Sequence, residues 1–137
     1  MAIVPFTSIN WLNDFDQAKQ KAKDNNQMIL LNFSGSDWCA PCIKMKKEIF
    51  ETDKFREFAE TNLVLIRADF PRTKKNQLDA NQKEHNERLA EQYNPQGQFP
   101  LTLLLDSNGK VIQEWNGYTN MTVDAFIDEL RSKSHGK

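Results

Sequence analysis

Two residues separate Cys39 from Cys42 in the run Trp38-Cys39-Ala40-Pro41-Cys42, and the chain holds no other cysteine. The pair follows an apolar stretch and stands at the head of a segment with helical character. A helix N-terminus exposes unsatisfied amide donors and partial positive charge, which favour a thiolate over a thiol. The thiolate is the species that attacks a disulfide. Cys39 stands where that field acts and where a partner can reach it. Cys42, one turn inward, is placed to close a ring with Cys39 and release the partner. These residue types at this spacing point to thiol–disulfide exchange, with Cys39 as nucleophile and Cys42 as resolving cysteine.

Two plainer uses of the thiols are weaker. A bridge across a two-residue spacer closes almost no loop, so it cannot staple a small fold. A zinc site needs two further ligands. The only histidines are His85 and His135, the latter in the terminal tail SHGK. No metal and no cofactor is expected, because the electrons move between sulfurs.

Several elements must position the pair. The spacing of Trp11, Leu12, Phe15, Ala18 and Ala22 predicts a helix over 9–23, capped by Ser8 or Asn10. Met28 to Ser34 is an apolar run bounded by turn residues, read as a strand buried on both faces. Gly35-Ser36-Asp37 turns the chain into a helix over 40–50, with Pro41 in its first turn, where a missing amide hydrogen costs little. Thr52 is a fresh N-cap for a second piece ending near residue 60, and 63–70 is the next strand. The span 71–94 is polar and helix-prone, with a thin apolar stripe of Leu78, His85, Leu89 and Tyr93 that suits the surface. Leu101 to Leu105 and 110–115 flank the hairpin turn Asp106-Ser107-Asn108-Gly109. Thr122 caps a last helix whose Val123, Phe126, Ile127 and Leu130 keep helical spacing. The first strand–helix–strand passage suits a parallel crossover and the later hairpin must be antiparallel. The fold class is therefore α/β, a mixed central sheet with helices on both faces, in one domain over 1–137.

At 137 residues, with 39% apolar and 27% charged side chains, the chain has the makings of an ordinary globular protein. A net charge of −1 gives no reason to expect nucleic acid or an anionic membrane as partner. Arg72, Lys74 and Lys75 form a short basic cluster, read as a solvated loop. No segment approaches the roughly 18 apolar residues of a spanning helix, so no membrane insertion is expected. The start MAIVPFTSIN shows no secretory signal; an exported or periplasmic location is expected if a leader has been removed, and a cytoplasmic one otherwise.

The motifs resemble the thioredoxin-like superfamily over nearly the whole chain. FSGSDWCAPCIKMKK is similar to the family's active-site strand, turn and helix. QFPLTLLLD resembles the strand opened by its cis-proline, at Phe99-Pro100, and SNGKVIQEWNGYTNMTVDAFIDEL its closing hairpin, glycine turn and last helix. The GSDWCxxC pattern is most similar to exported bacterial thioredoxin-like thiol–disulfide oxidoreductases. The resemblance implies a shallow substrate groove of Trp38, Phe99, Pro100 and Gly117, with Trp38 exposed beside Cys39. It also implies that Ala40 and Pro41 tune the redox couple.

Two departures stand out. Asn32 occupies the place of the buried aspartate of thioredoxin, and the 71–94 span is longer than in small thioredoxins. The expected activity is exchange with protein disulfides or dithiols, as reductase or isomerase rather than strong oxidase. A thiol protein would recycle the pair, and the working form would be a monomer. Two other readings stay open: a non-catalytic binding or chaperone module using the same groove, and, more weakly, a thioredoxin-fold peroxidase, for which no Arg and Thr stand near the cysteines in sequence.

Overall fold

The computed structural model describes residues 10–135. Ser8 as a cap, the start of the first helix at Ile9 and the side chain of His135 lie outside the described residues.

Twelve elements follow in order: β1 (Trp11–Leu12), α1 (Phe15–Asn25), β2 (Met28–Ser34), α2 (Ala40–Met45) with a π-helical turn (Lys46–Phe50), α3 (Asp53–Asn62), β3 (Leu63–Asp69), a 3-10 turn (Lys74–Asn76), α4 (Ala80–Tyr93), β4 (Leu101–Leu105), β5 (Val111–Asn116) and α5 (Val123–His135). The strands form one sheet in the order β1-β3-β2-β4-β5. β2 pairs parallel with β3 and antiparallel with β4, and β4 pairs antiparallel with β5.

The first segment corrects the expectation. Trp11 and Leu12 are not helical: they form an edge strand parallel to β3, opposite Leu65 and Ile66. The helix begins at Phe15, because Asp14 is extended and its carboxylate accepts the Gln17 amide, an N-cap in place of Ser8 or Asn10. It ends where Asn26 adopts a left-handed conformation, φ 54°.

The alternation of β2 sorts its side chains onto two cores. Ile29, Leu31 and Phe33 pack with Phe15, Ala18, Ala22 and Leu89, under α1 and α4. Leu30 packs with Met45, Ile49, Phe55, Phe126 and Leu130, under α2, α3 and α5. Helices cover both faces, and β2 is buried along its length except for its first residue. Burial on both sides leaves β2 a rigid spine, and the cysteine motif stands immediately beyond its C-terminal end.

The helix over 40–50 is continuous but changes pitch at Lys46. Thr52 then caps α3 by accepting the Phe55 amide, as Thr122 caps α5 by accepting that of Ala125. Tyr93 donates to the Gly109 carbonyl at 2.6 Å, tying α4 to the hairpin turn. Gly109, at φ 91°, has no room for a Cβ, which would stand 2.8 Å from the Tyr93 hydroxyl.

Candidate active site

The turn between β2 and α2 is built around Gly35. Its carbonyl accepts the amides of Trp38 and Cys39, the latter at 2.9 Å, which curls the chain back over the strand end. A Cβ on Gly35 would lie 2.3 Å from the Trp38 indole, so only glycine permits the ring to lie against the backbone here. Cys39 is the N-cap of α2, and its Sγ accepts the Cys42 amide at 3.3 Å. Pro41 sits in the first turn, where its missing donor is not needed. Cys42 Sγ in turn receives the Gly35 amide at 3.5 Å. The two sulfurs are joined as a disulfide, with Cα atoms 5.2 Å apart.

The expected contrast between an open Cys39 and an inner Cys42 is not seen. Both are buried, at 5% and 4% exposure. Ala40, between them, is exposed. Ile43, the residue after Cys42, is 48% exposed and extends the apolar surface beside the pair. Ile43 belongs to no motif; its signal in sequence is an apolar residue beside Lys44, Lys46 and Lys47.

Trp38 is half-buried rather than fully exposed. Its Nε1 donates to the Phe70 carbonyl at 2.6 Å, and its ring meets Phe99 edge-on at 5.4 Å. Phe99 makes a second edge contact with Phe70, which stacks on Phe33. The Phe99–Pro100 peptide is cis, and Pro100 is buried. The Pro100 carbonyl accepts the Gly117 amide at 2.8 Å. Gly117 has φ 87° and open space where a side chain would go. Trp38 and Phe99 thus meet by ring contact, and Pro100 and Gly117 by a backbone bond.

The 71–94 span, without a chemical role in the sequence reading, is clasped to the active-site turn. The Asp37 carboxylate accepts the amides of Arg72 and Thr73 and the side-chain amide of Asn76, each at 2.9 Å. These donors, the Arg72 amide first and the Asn76 amide next, hold the Asp37 carboxyl far below the usual aspartate range against an opposing effect of burial. The Arg72 guanidinium lies 3.6 Å from the Trp38 ring centroid. Asp69, at the end of β3, accepts both the amide and the hydroxyl of Ser36. Asp69, which ends its strand and reads in sequence as a turn or cap residue or a polar group beneath the active site, thus holds Ser36. Asp37 and Arg72 were missed because their partners stand more than 30 positions away. The only trace in sequence was an acidic residue directly before the tryptophan.

Asn32, at the place of the family's aspartate, is buried in a polar rung across three strands. Its Nδ2 donates to Thr102 Oγ1 at 3.1 Å and its Oδ1 accepts Arg67 Nε at 3.2 Å. The Arg67 guanidinium lies over Trp11 at 3.9 Å. Burial lowers its pKa to about 10, opposed by Asp69 and Glu51, so it stays charged at neutral pH. A neutral amide therefore stands where thioredoxin has an acid, with a charged donor bonded to it from β3. Among the described residues no three His, Cys, Asp or Glu side chains gather as a metal site. No helix among them is long and apolar enough to cross a membrane.

Comparisons with known proteins agree with this geometry. The family model of the thioredoxin-like domain matches residues 15–132. The disulfide bond reductase DsbH of Chlamydia pneumoniae is 35% identical over 91% of this chain and 72% of its own length. The thioredoxin-related protein DsbJ of the same organism is 28% identical over 90% of this chain, which spans 34% of that protein. A solved structure of a DsbH oxidoreductase superposes with a TM-score of 0.85 at 28% identity, covering 100% of this chain and 93% of the other. A five-stranded mixed sheet with a cysteine pair capping the helix after its central strand defines a thiol–disulfide oxidoreductase. The chain belongs to the thioredoxin-like domain family.

Proposed function

We propose that the chain is a reductase of protein disulfides, with Cys39 as nucleophile and Cys42 as resolving cysteine. The carrying observation is the Cys42 amide directed at Cys39 Sγ at 3.3 Å. In the reduced protein the same amide, at the head of α2, would stabilise a Cys39 thiolate. That thiolate attacks one sulfur of a substrate disulfide, and the other sulfur leaves as a thiolate. Cys42 then gives up its proton and attacks Cys39 Sγ. The second substrate sulfur departs, and the pair closes as the disulfide seen here. Two electrons pass to the substrate, and a thiol protein must return them to Cys39–Cys42. No cofactor enters the scheme.

Trp38, Phe99, Pro100 and Gly117 are proposed to hold the substrate chain. The exposed edge of Trp38 supplies apolar contact, the backbone beside the cis peptide offers pairing groups, and Gly117 leaves room for a close approach. Ala40 and Pro41 are assigned to tuning of the couple, through the local helix start they shape. The direction is supported by the relative at 35% identity, named for disulfide reduction. The working unit is proposed to be a monomer.

Insulin reduction tests the scheme. Cys39→Ser abolishes turnover, because no nucleophile remains. Cys42→Ser accumulates mixed disulfides with substrate on Cys39, visible as a mass increase removed by dithiothreitol. A Cys42→Ser protein that traps nothing from a disulfide substrate would contradict the assignment of roles.

A further inference from the structure

We propose that Arg72 is a carboxylate-binding residue that makes this protein favour disulfides flanked by an acidic side chain. The proposal rests on the reading of Cys39 and Cys42 as the reacting pair. Three observations carry it.

The first is the position of the guanidinium. At 3.6 Å from the Trp38 centroid it has room only to lie nearly flat on the ring. A guanidinium in that pose keeps its N–H donors pointing outward in its own plane, as a fork that fits a carboxylate. Trp38 directly precedes Cys39 and touches Phe99, so the fork stands at the rim of the proposed groove.

The second is that the arm is anchored. The Arg72 and Thr73 amides are both held by Asp37, and Trp38 is pinned through Nε1 to the Phe70 carbonyl. Fixed at both ends, Arg72 loses less freedom on binding an anion than a solvated surface arginine would.

The third is the charge around it. Arg72 is exposed, and among the described residues no carboxylate pairs with its guanidinium. The two acids of the active-site turn are already engaged: Asp37 by three N–H donors and Asp69 by Ser36. Lys74 and Lys75, exposed on the same turn, add positive potential. Asp37 and Asp69 keep their charge while bonded to neutral donors, so Arg72, Lys74 and Lys75 exceed them by one positive charge at this rim. An extended peptide advances about 3.3 Å per residue, so a side chain next to its reacting cysteine reaches this rim when the cysteine meets Cys39.

The test uses two disulfide peptides identical except for Glu or Gln beside the reacting cysteine. The unaltered protein reduces the Glu peptide about threefold to fivefold faster at low ionic strength, the scale of an exposed charge pair. The advantage shrinks as salt screens the contact. Arg72→Gln brings the ratio of the two rates to near one, Arg72→Lys keeps part of it, and Arg72→Glu inverts it. A merely structural role, through lost packing on Trp38, lowers both rates together and leaves the ratio where it was; that result overturns the proposal. Equal rates in the unaltered protein overturn it as well. If neither peptide is reduced, the reading of the cysteine pair falls and this proposal with it.

Discussion

Asp37 shows how one side chain can organise this site without touching a sulfur. Its carboxylate gathers three N–H donors from residues 72–76 and so fixes the arm that lays Arg72 on Trp38. The donors favour the charged form and lower its pKa from the ordinary 3.8. A carboxyl lowered on folding adds stability above its unfolded value, near 3.8, and loses that contribution as pH falls through the lower folded value. The clasp should therefore persist through the range where free aspartates protonate. In an NMR titration the Asp37 carboxyl carbon and the Arg72 and Thr73 amides should move together, with a midpoint well below 3.8. A midpoint at or above 3.8 would mean that the three donors do not act on the carboxylate. Asn32 illustrates the opposite case. The sequence already disclosed that the family's acid is replaced, but not that Arg67 and Thr102 bond to the replacement from two neighbouring strands.

At the scale of elements, what was legible in sequence depended on whether the determining contacts are local. β2 was readable because an apolar run between turn residues suffices to specify a strand buried on both faces. Thr52, Thr122 and the turn at Asp106–Gly109 were readable because caps and hairpins are set by residues within three or four positions. Trp11 and Leu12 misled because apolar residues at helical spacing also fit a two-residue strand followed by a capped helix. Only pairing with β3, more than 50 positions away, decides between them. The role of α4 was equally hidden. His85 Nε2 accepts the Phe15 amide at 3.0 Å, which puts the ring proton on Nδ1, where Asn86 Oδ1 lies 2.8 Å away. Asn86 in turn donates to the Asp69 carbonyl. α4 thus satisfies the first amide of α1 and braces the end of β3 that carries Asp69. Replacing His85 with Ala leaves that amide without its acceptor and should cost about 1–3 kcal/mol in urea unfolding. A change within about 0.5 kcal/mol would show that the α1–α4 contact is dispensable.

Across the whole molecule, a twice-covered sheet holds the β2 end rigid, and the chain beyond it carries a cysteine pair, an aromatic rim and a clasped basic arm. The cysteine pair, the cis-proline strand and the glycine turn could be located in sequence because each is a short motif. The basic arm could not, since Arg72 reads as solvated until Asp37 is seen to fold it back. The central claim is that Cys39–Cys42 delivers electrons to protein disulfides. The measurement that tests it most directly is the reduction potential of the pair, by equilibration against glutathione or dithiothreitol with the two redox forms separated by mass. A reductase should lie near the thioredoxin value of about −270 mV, so that the reduced pair is a strong donor. A value near about −120 mV, that of a strong disulfide donor, would contradict the account and assign the same two sulfurs to oxidation.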